Sequence, residues 1–171
     1  MHPAEIEEIM KTLTCVVDNR EQNTQKLRNR LKQIELPIER ETVNVGDYTG
    51  KLFLPDGQKI MLPASVERKY AIDELCMCYC QQRGRFEREF KRAQEAGVRL
   101  WLLVEDATWE HIYSGKYRSQ MRPKSLVGSI LSYQARYDCR IVFCKEELSG
   151  KMIRDILHYE ARELLERMVD E

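Results

Sequence analysis

The stretch "QKIMLPASVERKYAID", Gln58–Asp73, begins as an apolar run and ends in a dense cluster of charges. It follows the dipeptide "DG", and the segment before that dipeptide, "YTGKLFLP", is also rich in strand-forming residues. Two such runs joined by a short turn predict an antiparallel hairpin. Side chains alternate between the two faces of a strand, so we expect Glu67 and Lys69 on one face and Arg68 on the other.

The charged cluster has more than one interpretation. Most charged clusters lie on a solvated surface, and Glu67 and Lys69 are also suited to an ordinary salt bridge. A third interpretation comes from Asp47 in "VGDY", which stands where the alternating run "ERETVNV" ends. Two carboxylates on neighbouring strands repel each other unless a cation lies between them, and Mg²⁺ and Mn²⁺ prefer such oxygen ligands.

This third interpretation predicts a site that cleaves phosphodiester bonds. Asp47 and Glu67 would hold the ion, and Lys69 would orient or deprotonate the attacking water or stabilise negative charge on the phosphate. The bare pattern of an aspartate followed later by Glu-X-Lys is weak, because charged chains match it by chance.

Strands and helices are predicted on both sides of the hairpin. The run "LTCVVD" predicts a buried strand, "TQKLRNRLKQI" a helix, and "VRLWLLVED" a central strand that is covered on both faces. We expect one long helix from about Asp73 to Ala96, closed by Gly97. The later predictions are a helical turn "ATWEHIY", a helix "SLVGSILSYQARY", a strand "CRIVFC" and an amphipathic helix over about 149–169. The fold class is therefore α/β, with a mixed sheet flanked by helices.

Length and composition fit one globular domain over residues 1–171. No apolar run is long enough to span a membrane, and the first residues are acidic where a signal peptide would be basic, so we expect a cytoplasmic protein. The six cysteines include the closely spaced "CMCYC", which differs from the paired spacing of zinc sites. We expect reduced cysteines that are mostly buried.

Basic residues are concentrated in the middle of the chain. Residues 81–144 contain 12 basic and 7 acidic side chains, a net charge of +5, although the whole chain is neutral. Two segments, "RGRFEREFKR" and "GKYRSQMRPK", supply most of this charge. Such segments are solvated faces more often than phosphate-binding surfaces, unless a catalytic centre lies beside them. The candidates for contact with phosphate groups are Arg83, Arg85, Arg88 and Lys91.

Several of these motifs together resemble a known family. Gly46-Asp47, Glu67-Arg68-Lys69 and Asp73 match the pattern GD…ERKxxxD, and Asp18-Asn19-Arg20-Glu21 matches DxRE. Both patterns are typical of the nuclease domain of the XPF family of structure-specific endonucleases. The resemblance extends over about residues 12–145.

The resemblance implies a restriction-endonuclease-like fold, Mg²⁺ or Mn²⁺ as cofactor, and cleavage of DNA at branched or flap structures. It assigns metal binding to Asp47 and Glu67 and the catalytic lysine to Lys69. The remaining motif residues are Asp18 and Glu21, which would line the site, and Arg20, Arg68 and Asp73, which would support it. Many family members carry an additional helix-hairpin-helix module, so the chain resembles the stand-alone bacterial or phage form.

Two further function classes compete with a metal-dependent endonuclease. One is a non-catalytic DNA-binding or scaffold subunit of a nuclease complex, and the other is a metal-binding or redox protein built on the cysteines. We also expect a homodimer formed through the C-terminal third. The predicted last helix has an apolar face wider than one contact requires, comprising Ile153, Ile156, Leu157, Leu164, Leu165 and Met168.

Overall fold

The computed structural model describes residues 2–170, and in this part of the chain a mixed six-stranded sheet is flanked by helices on both faces. The strands are β1 (Thr14–Asp18), β2 (Ile38–Glu41), β3 (Tyr48–Phe53), β4 (Lys59–Lys69), β5 (Arg99–Glu105) and β6 (Arg140–Cys144). The helices are α1 (Pro3–Met10), α2 (Gln25–Ile34), α3 (Ile72–Tyr79), α4 (Arg83–Glu95), α5 (Trp109–Ser114), α6 (Pro123–Tyr137) and α7 (Ser149–Asp170), with a 3₁₀ turn at Glu146–Leu148.

The order of strands in the sheet is β2-β1-β3-β4-β5-β6. The pairs β1–β3 and β3–β4 are antiparallel, which confirms the predicted hairpin, and the other neighbouring pairs are parallel. The predicted α/β class with a mixed sheet is therefore confirmed.

Two apolar cores lie on opposite faces of this sheet. Helices α3, α4, α5 and α6 pack on one face around Phe90, Leu102 and Ile130. Helices α1, α2 and α7 pack on the other around Leu103 and Leu157. Neighbouring residues of β5 thus contribute to different cores, as the apolar run "VRLWLLVED" predicts for a strand covered on both faces.

The single long helix predicted from about Asp73 to Ala96 is wrong. The segment forms two helices, α3 and α4, separated by residues 80–82. The break lets the ring of Phe86 meet the ring of Tyr79 edge to face, with centroids 5.3 Å apart, inside an aromatic cluster shared with α6. Burial of these rings favours the break over a continuous helix. The predicted closure of the helical segment by Gly97 is confirmed. Gly97 adopts φ +66°, and its N–H donates a hydrogen bond to the Gln94 carbonyl at the end of α4.

Other local predictions were partly confirmed. The alternating run "ERETVNV" pairs as a strand only over Ile38–Glu41, and residues 43–47 leave the sheet. Four of the six cysteines are buried, and Cys80 is exposed. Helix α1 was not predicted; it begins with Pro3, and its first turn is capped reciprocally by His2 and Glu5. No helix within residues 2–170 is both long and apolar enough to cross a membrane.

The last helix packs closely against the rest of the domain. Within the predicted apolar face, Ile153, Leu157 and Leu165 are fully buried against the sheet and α2, whereas Met168 is 38% exposed. Most of this face is therefore occupied inside the domain. The homodimer through the C-terminal third loses this support but stays a prediction.

Gly150 allows α7 to approach α2. A Cβ atom at this position would lie 2.4 Å from the Arg30 carbonyl oxygen and 2.5 Å from Gln33 Cβ. We expect Gly150→Ala to destabilise the protein by about 1–3 kcal/mol, because the two helices must separate. The matched control is Gly128→Ala in α6, where no atom lies within 4 Å of the added Cβ apart from the adjacent residues and the local helix backbone. This control should stabilise the helix by about 0.5–1 kcal/mol. Urea unfolding measures both changes, and equal stability of the two variants would contradict the packing.

Candidate active site

The site lies where three segments meet at the end of β4. Asp47 directly precedes β3, and its backbone joins the two neighbouring strands: its N–H donates to the Val66 carbonyl (2.8 Å), and its carbonyl accepts the Asp18 N–H (2.9 Å). The Asp47 carboxylate also accepts the N–H of Arg68 (2.8 Å). This carboxylate is thereby fixed beside the "VERK" segment.

A glycine is required at position 46, because the chain before Asp47 passes close to β4. Its φ is +76°, and a Cβ atom there would lie 3.0 Å from both the Val66 carbonyl oxygen and Ser65 Cβ. A side chain would therefore be strained by its backbone conformation and would press on β4. The glycine of the "GD" motif allows Asp47 to lie against that strand.

Glu67 and Lys69 project to the same face of β4, as predicted, and Lys69 Nζ donates to Glu67 Oε1 at 2.7 Å. Both side chains are almost fully buried, and the ammonium lies over the ring of Phe86. Burial alone would lower the pKa of Lys69, but the charge of Glu67 and the hydrogen bond to it raise this pKa above its ordinary value. Lys69 is therefore an ammonium group at neutral pH.

A pocket of about 360 Å³ opens in front of these side chains. Helices α3 and α4 form its other wall. Its charged lining residues are Glu21, Asp47, Glu67, Arg68, Lys69, Glu74, Arg85 and Glu89. Carboxylates outnumber cations in this set by five to three. Burial, followed by the charges of Glu67 and Glu21, raises the pKa of Asp47 well above its ordinary value. The pocket thus contains negative charge that its own cations do not balance.

This donor set fits a hard divalent cation. Asp47 Oδ1 and Glu67 Oε2 make no hydrogen bond within the described residues, while the second oxygen of each carboxylate is already bound. No group of three or more acidic, histidine or cysteine side chains among residues 2–170 is arranged to hold an ion. Two carboxylates with free oxygens suit an ion such as Mg²⁺, which retains several water ligands in proteins.

Glu21 lines this pocket, and a buried network holds it from behind. The Tyr48 hydroxyl donates to Glu21 Oε2 (3.2 Å) and accepts a hydrogen bond from Arg30 Nη1 (2.9 Å). Arg30 also lies 3.6 Å from Glu105, and Glu105 accepts from Arg68 Nη1 at 3.0 Å. A chain of opposite charges thus connects Glu21 with Arg68 through the core.

Sequence reasoning missed Arg30, Tyr48 and Glu105 in this network. Two of them, Arg30 and Glu105, are recognisable in the sequence as charged residues within apolar patterns. Arg30 interrupts the apolar stripe of α2 between Leu27 and Ile34, and Glu105 ends the most apolar strand. A charged residue at a core position is rarely left unpaired, so each could have been assigned a buried partner.

Asp18, predicted to line the site, is not brought into the pocket. Its carboxylate accepts hydrogen bonds from the backbone N–H, Nε and Nη2 of Arg20 and from the N–H of Val43. The bond to the Arg20 side chain is the main reason that the pKa of Asp18 falls to about 2. Asp18 and Arg20 therefore hold together the loops that follow β1 and β2.

Asp73 also lies outside the pocket. One of its carboxylate oxygens accepts the backbone N–H groups of Arg118 and Ser119, at 2.8 and 2.7 Å. Arg68, in contrast, lines the pocket and pairs with Glu105. The three predicted support residues thus have different environments.

The basic candidates on α4 are also divided. Arg85 lines the pocket, and Arg83, Arg88 and Lys91 are exposed on the same helix. Arg83 pairs with Glu87 at 3.3 Å, and Arg85 lies 3.9 Å from Glu89. Both arginines are therefore partly neutralised by the helix that carries them.

Comparison with solved structures supports the fold. XPF from Aeropyrum pernix is similar with a TM-score of 0.59 and 19% identity over 87% of this chain and 60% of the other. XPF from the same organism in a complex with DNA matches with a TM-score of 0.59 and 19% identity, over 90% of this chain and 66% of the other. The chain thus spans roughly three fifths to two thirds of the length of these proteins. No curated protein matched its sequence.

The sequence itself matches a family model. The model of the ERCC4 domain covers residues 17–156, which include Glu21, Asp47, Glu67, Lys69 and Asp73. The match extends over most of the chain and agrees with the resemblance predicted from the GD…ERKxxxD pattern. This chain belongs to the ERCC4 domain family.

Proposed function

We propose that this domain is an endonuclease that hydrolyses DNA phosphodiester bonds with Mg²⁺ or Mn²⁺. The observation that carries the proposal is the pocket in which Asp47, Glu67 and Lys69 meet with an excess of carboxylates. Family membership adds to it, and one similar structure is that of a protein in a complex with DNA. The substrates would be branched or flap structures, and the protein would act in the cytoplasm.

Each pocket residue has a part in this reaction. Asp47 and Glu67 would hold the ion, which when bound supplies positive charge beside the phosphate and polarises a water molecule. Lys69 is kept protonated by Glu67 and places its ammonium group where negative charge develops on the phosphate. Glu21 contributes charge at the rim, and the Arg20–Asp18 and Arg68–Glu105 pairs fix the loops and strand around it.

We expect Asp47→Asn and Glu67→Gln each to reduce metal-dependent DNA cleavage by at least about 10²–10³-fold. Both changes keep the size of the side chain, and the amide oxygen introduced by Asp47→Asn can still accept the Arg68 N–H. Asp47→Asn also removes like-charge repulsion, so its melting temperature without metal should stay equal or rise. Glu67→Gln should lower the melting temperature, because it removes the negative partner of the buried Lys69 ammonium. A matched control is Glu95→Gln at the exposed end of α4, which should cleave at the wild-type rate. Cleavage of labelled flap, fork and linear duplexes with Mg²⁺, Mn²⁺ or EDTA measures these effects.

The same assay decides between the enzyme and a non-catalytic DNA-binding or scaffold subunit. A scaffold subunit binds the duplexes but leaves them intact with either metal. Undiminished metal-dependent cleavage by both variants would contradict the assignment of Asp47 and Glu67.

The exposed cations of α4 would contact backbone phosphates next to the pocket. Each lost phosphate contact should reduce the slope of log K against log salt by about 0.9 for duplex DNA. We therefore expect Arg88→Gln/Lys91→Gln to flatten the slope by nearly two. Arg83→Gln/Arg85→Gln should act less strongly, because Glu87 and Glu89 already partly balance these arginines. If neither double variant changes affinity or slope in fluorescence anisotropy, this face of α4 is only solvated surface.

We also propose that the domain forms a homodimer through its C-terminal third. A groove beside α7 remains open, with Trp101, Val142, Met152 and the 64% exposed Tyr159 among its lining residues. Apolar surface of this kind favours association. Light scattering at micromolar concentration should give about twice 20.3 kDa, and Tyr159→Glu should shift the mass towards the monomer. A monomeric wild-type protein at these concentrations would overturn the proposal.

A further inference from the structure

A second basic segment lies beside the catalytic motif. Residues 116–124, "KYRSQMRPK", lead into α6 and are called the basic loop below. Its exposure alternates along the chain: Tyr117, Ser119, Met121 and Pro123 are half-buried, whereas Lys116, Arg118, Gln120, Arg122 and Lys124 are exposed. The loop therefore packs through every second residue and presents four cations to solvent.

These four cations have no acidic partner in the described part of the chain. The basic side chains of residues 81–144 that form ion pairs there are Arg83, Arg85, Arg99 and Arg140. The sequence contains no Asp or Glu from 111 to 137, so no acidic residue within the segment balances the charge. The basic loop thus concentrates unpaired positive charge more strongly than α4 does.

The basic loop is held in one conformation by hydrogen bonds. Asp73 accepts the N–H groups of Arg118 and Ser119, the Tyr117 hydroxyl donates to the Met121 carbonyl (2.7 Å), and the Met121 N–H donates to Ser119 Oγ (3.2 Å). Tyr117 and Met121 also pack against the core that contains α3. A loop that is already ordered loses little conformational entropy when it binds a ligand.

Asp73 also attaches the basic loop to α3, a helix that lines the pocket. Asp73 and Glu74 are neighbours in the first turn of α3, and Glu74 lines the pocket while Asp73 binds the loop. The pocket and the basic loop therefore contact the same turn of α3, a helix about 10–12 Å wide with its side chains. A nucleic-acid strand bound at the pocket can therefore reach the loop.

We propose that the basic loop binds the phosphate backbone of the DNA that enters the pocket, and that Asp73 is a positioning residue that holds the loop in its binding conformation. This inference rests on the proposed function, because it requires DNA at the pocket. It gives the last aspartate of the motif a task outside the chemistry: Asp73 connects the cleavage motif to a phosphate-binding surface through two backbone hydrogen bonds.

The first test removes charge from the loop. We expect Arg118→Gln/Arg122→Gln to flatten the salt slope by nearly two and to weaken DNA binding at about 0.1 M salt roughly tenfold to a hundredfold. In cleavage, KM should rise by a similar factor while kcat changes less than about twofold, because phosphate contacts hold substrate and transition state alike. Lys32→Gln/Lys151→Gln is the control. It removes the same charge from exposed positions on α2 and α7 and should behave as wild type.

The second test asks whether replacing Asp73 strengthens or weakens DNA binding. If Asp73 acted only through its negative charge, Asp73→Ala would strengthen DNA binding. We expect the reverse, a severalfold weaker binding and a flatter salt slope, because the loop is released. Asp73→Asn keeps an acceptor oxygen for both N–H groups, so it should bind DNA at least as tightly as wild type. Thermal melting checks that each variant is folded. If Asp73→Ala does not fold, Arg118→Gln/Arg122→Gln still tests the proposal.

The outcomes separate this inference from the function on which it rests. If Arg118→Gln/Arg122→Gln cleaves DNA with the affinity, salt slope and KM of the wild type, the basic loop does not bind DNA. The proposed nuclease function would be unaffected by that result. Tighter binding by Asp73→Ala would overturn the positioning of the loop by Asp73. A wild-type protein that neither binds nor cleaves any of the duplexes would overturn both proposals.

Discussion

The two backbone hydrogen bonds of Asp47 are the constraint on which the site depends. One bond connects Asp47 to β4 and the other connects it to the end of β1, so three chain segments meet at one residue. Gly46 permits this meeting, because its left-handed backbone brings the chain within contact distance of Val66. The Asp47 carboxylate is consequently fixed at the end of β4, next to Glu67 and Lys69. The core on either side of the sheet keeps these strands in register.

Positioning two acidic groups in a buried pocket costs stability, and the surrounding charges offset part of that cost. Lys69 neutralises Glu67 directly, while Arg30, Glu105 and Arg68 form a buried series of alternating charges behind the pocket. Carboxylates still outnumber cations around the pocket by five to three, and burial, followed by the charges of Glu67 and Glu21, raises the pKa of Asp47. A site with residual negative charge attracts a cation, and a cation there can supply the charge stabilisation that phosphodiester hydrolysis needs. The same unbalanced charge therefore both destabilises the domain and suits it for chemistry.

Much of the fold could be predicted from the sequence because its signals are local. The "DG" turn, the alternation of "VERK" and the apolar run of β5 indicated the hairpin, the shared face of Glu67 and Lys69 and the central strand. The break between α3 and α4 could not be predicted, since it depends on rings brought together from α3, α4 and α6. The direction of Asp18 was only partly hidden. Three of its hydrogen bonds come from Arg20, two residues away, whereas Val43 lies 25 residues away in the chain and is brought beside it by the pairing of β2 with β1. Motif matching identified which residues cluster, but the hydrogen bonds of Asp18 and Asp73 distinguish residues that face the pocket from residues that hold its surroundings.

The central claim is that Asp47 and Glu67 together bind a divalent cation. Anomalous scattering from crystals soaked in Mn²⁺ tests it most directly, because the position of the ion is measured independently of any activity. We expect one strong peak in the pocket, within bonding distance of Asp47 Oδ1 and Glu67 Oε2, and its loss in Asp47→Asn crystals soaked in the same way. A peak bound by other residues, or an empty pocket at saturating Mn²⁺, would contradict the account.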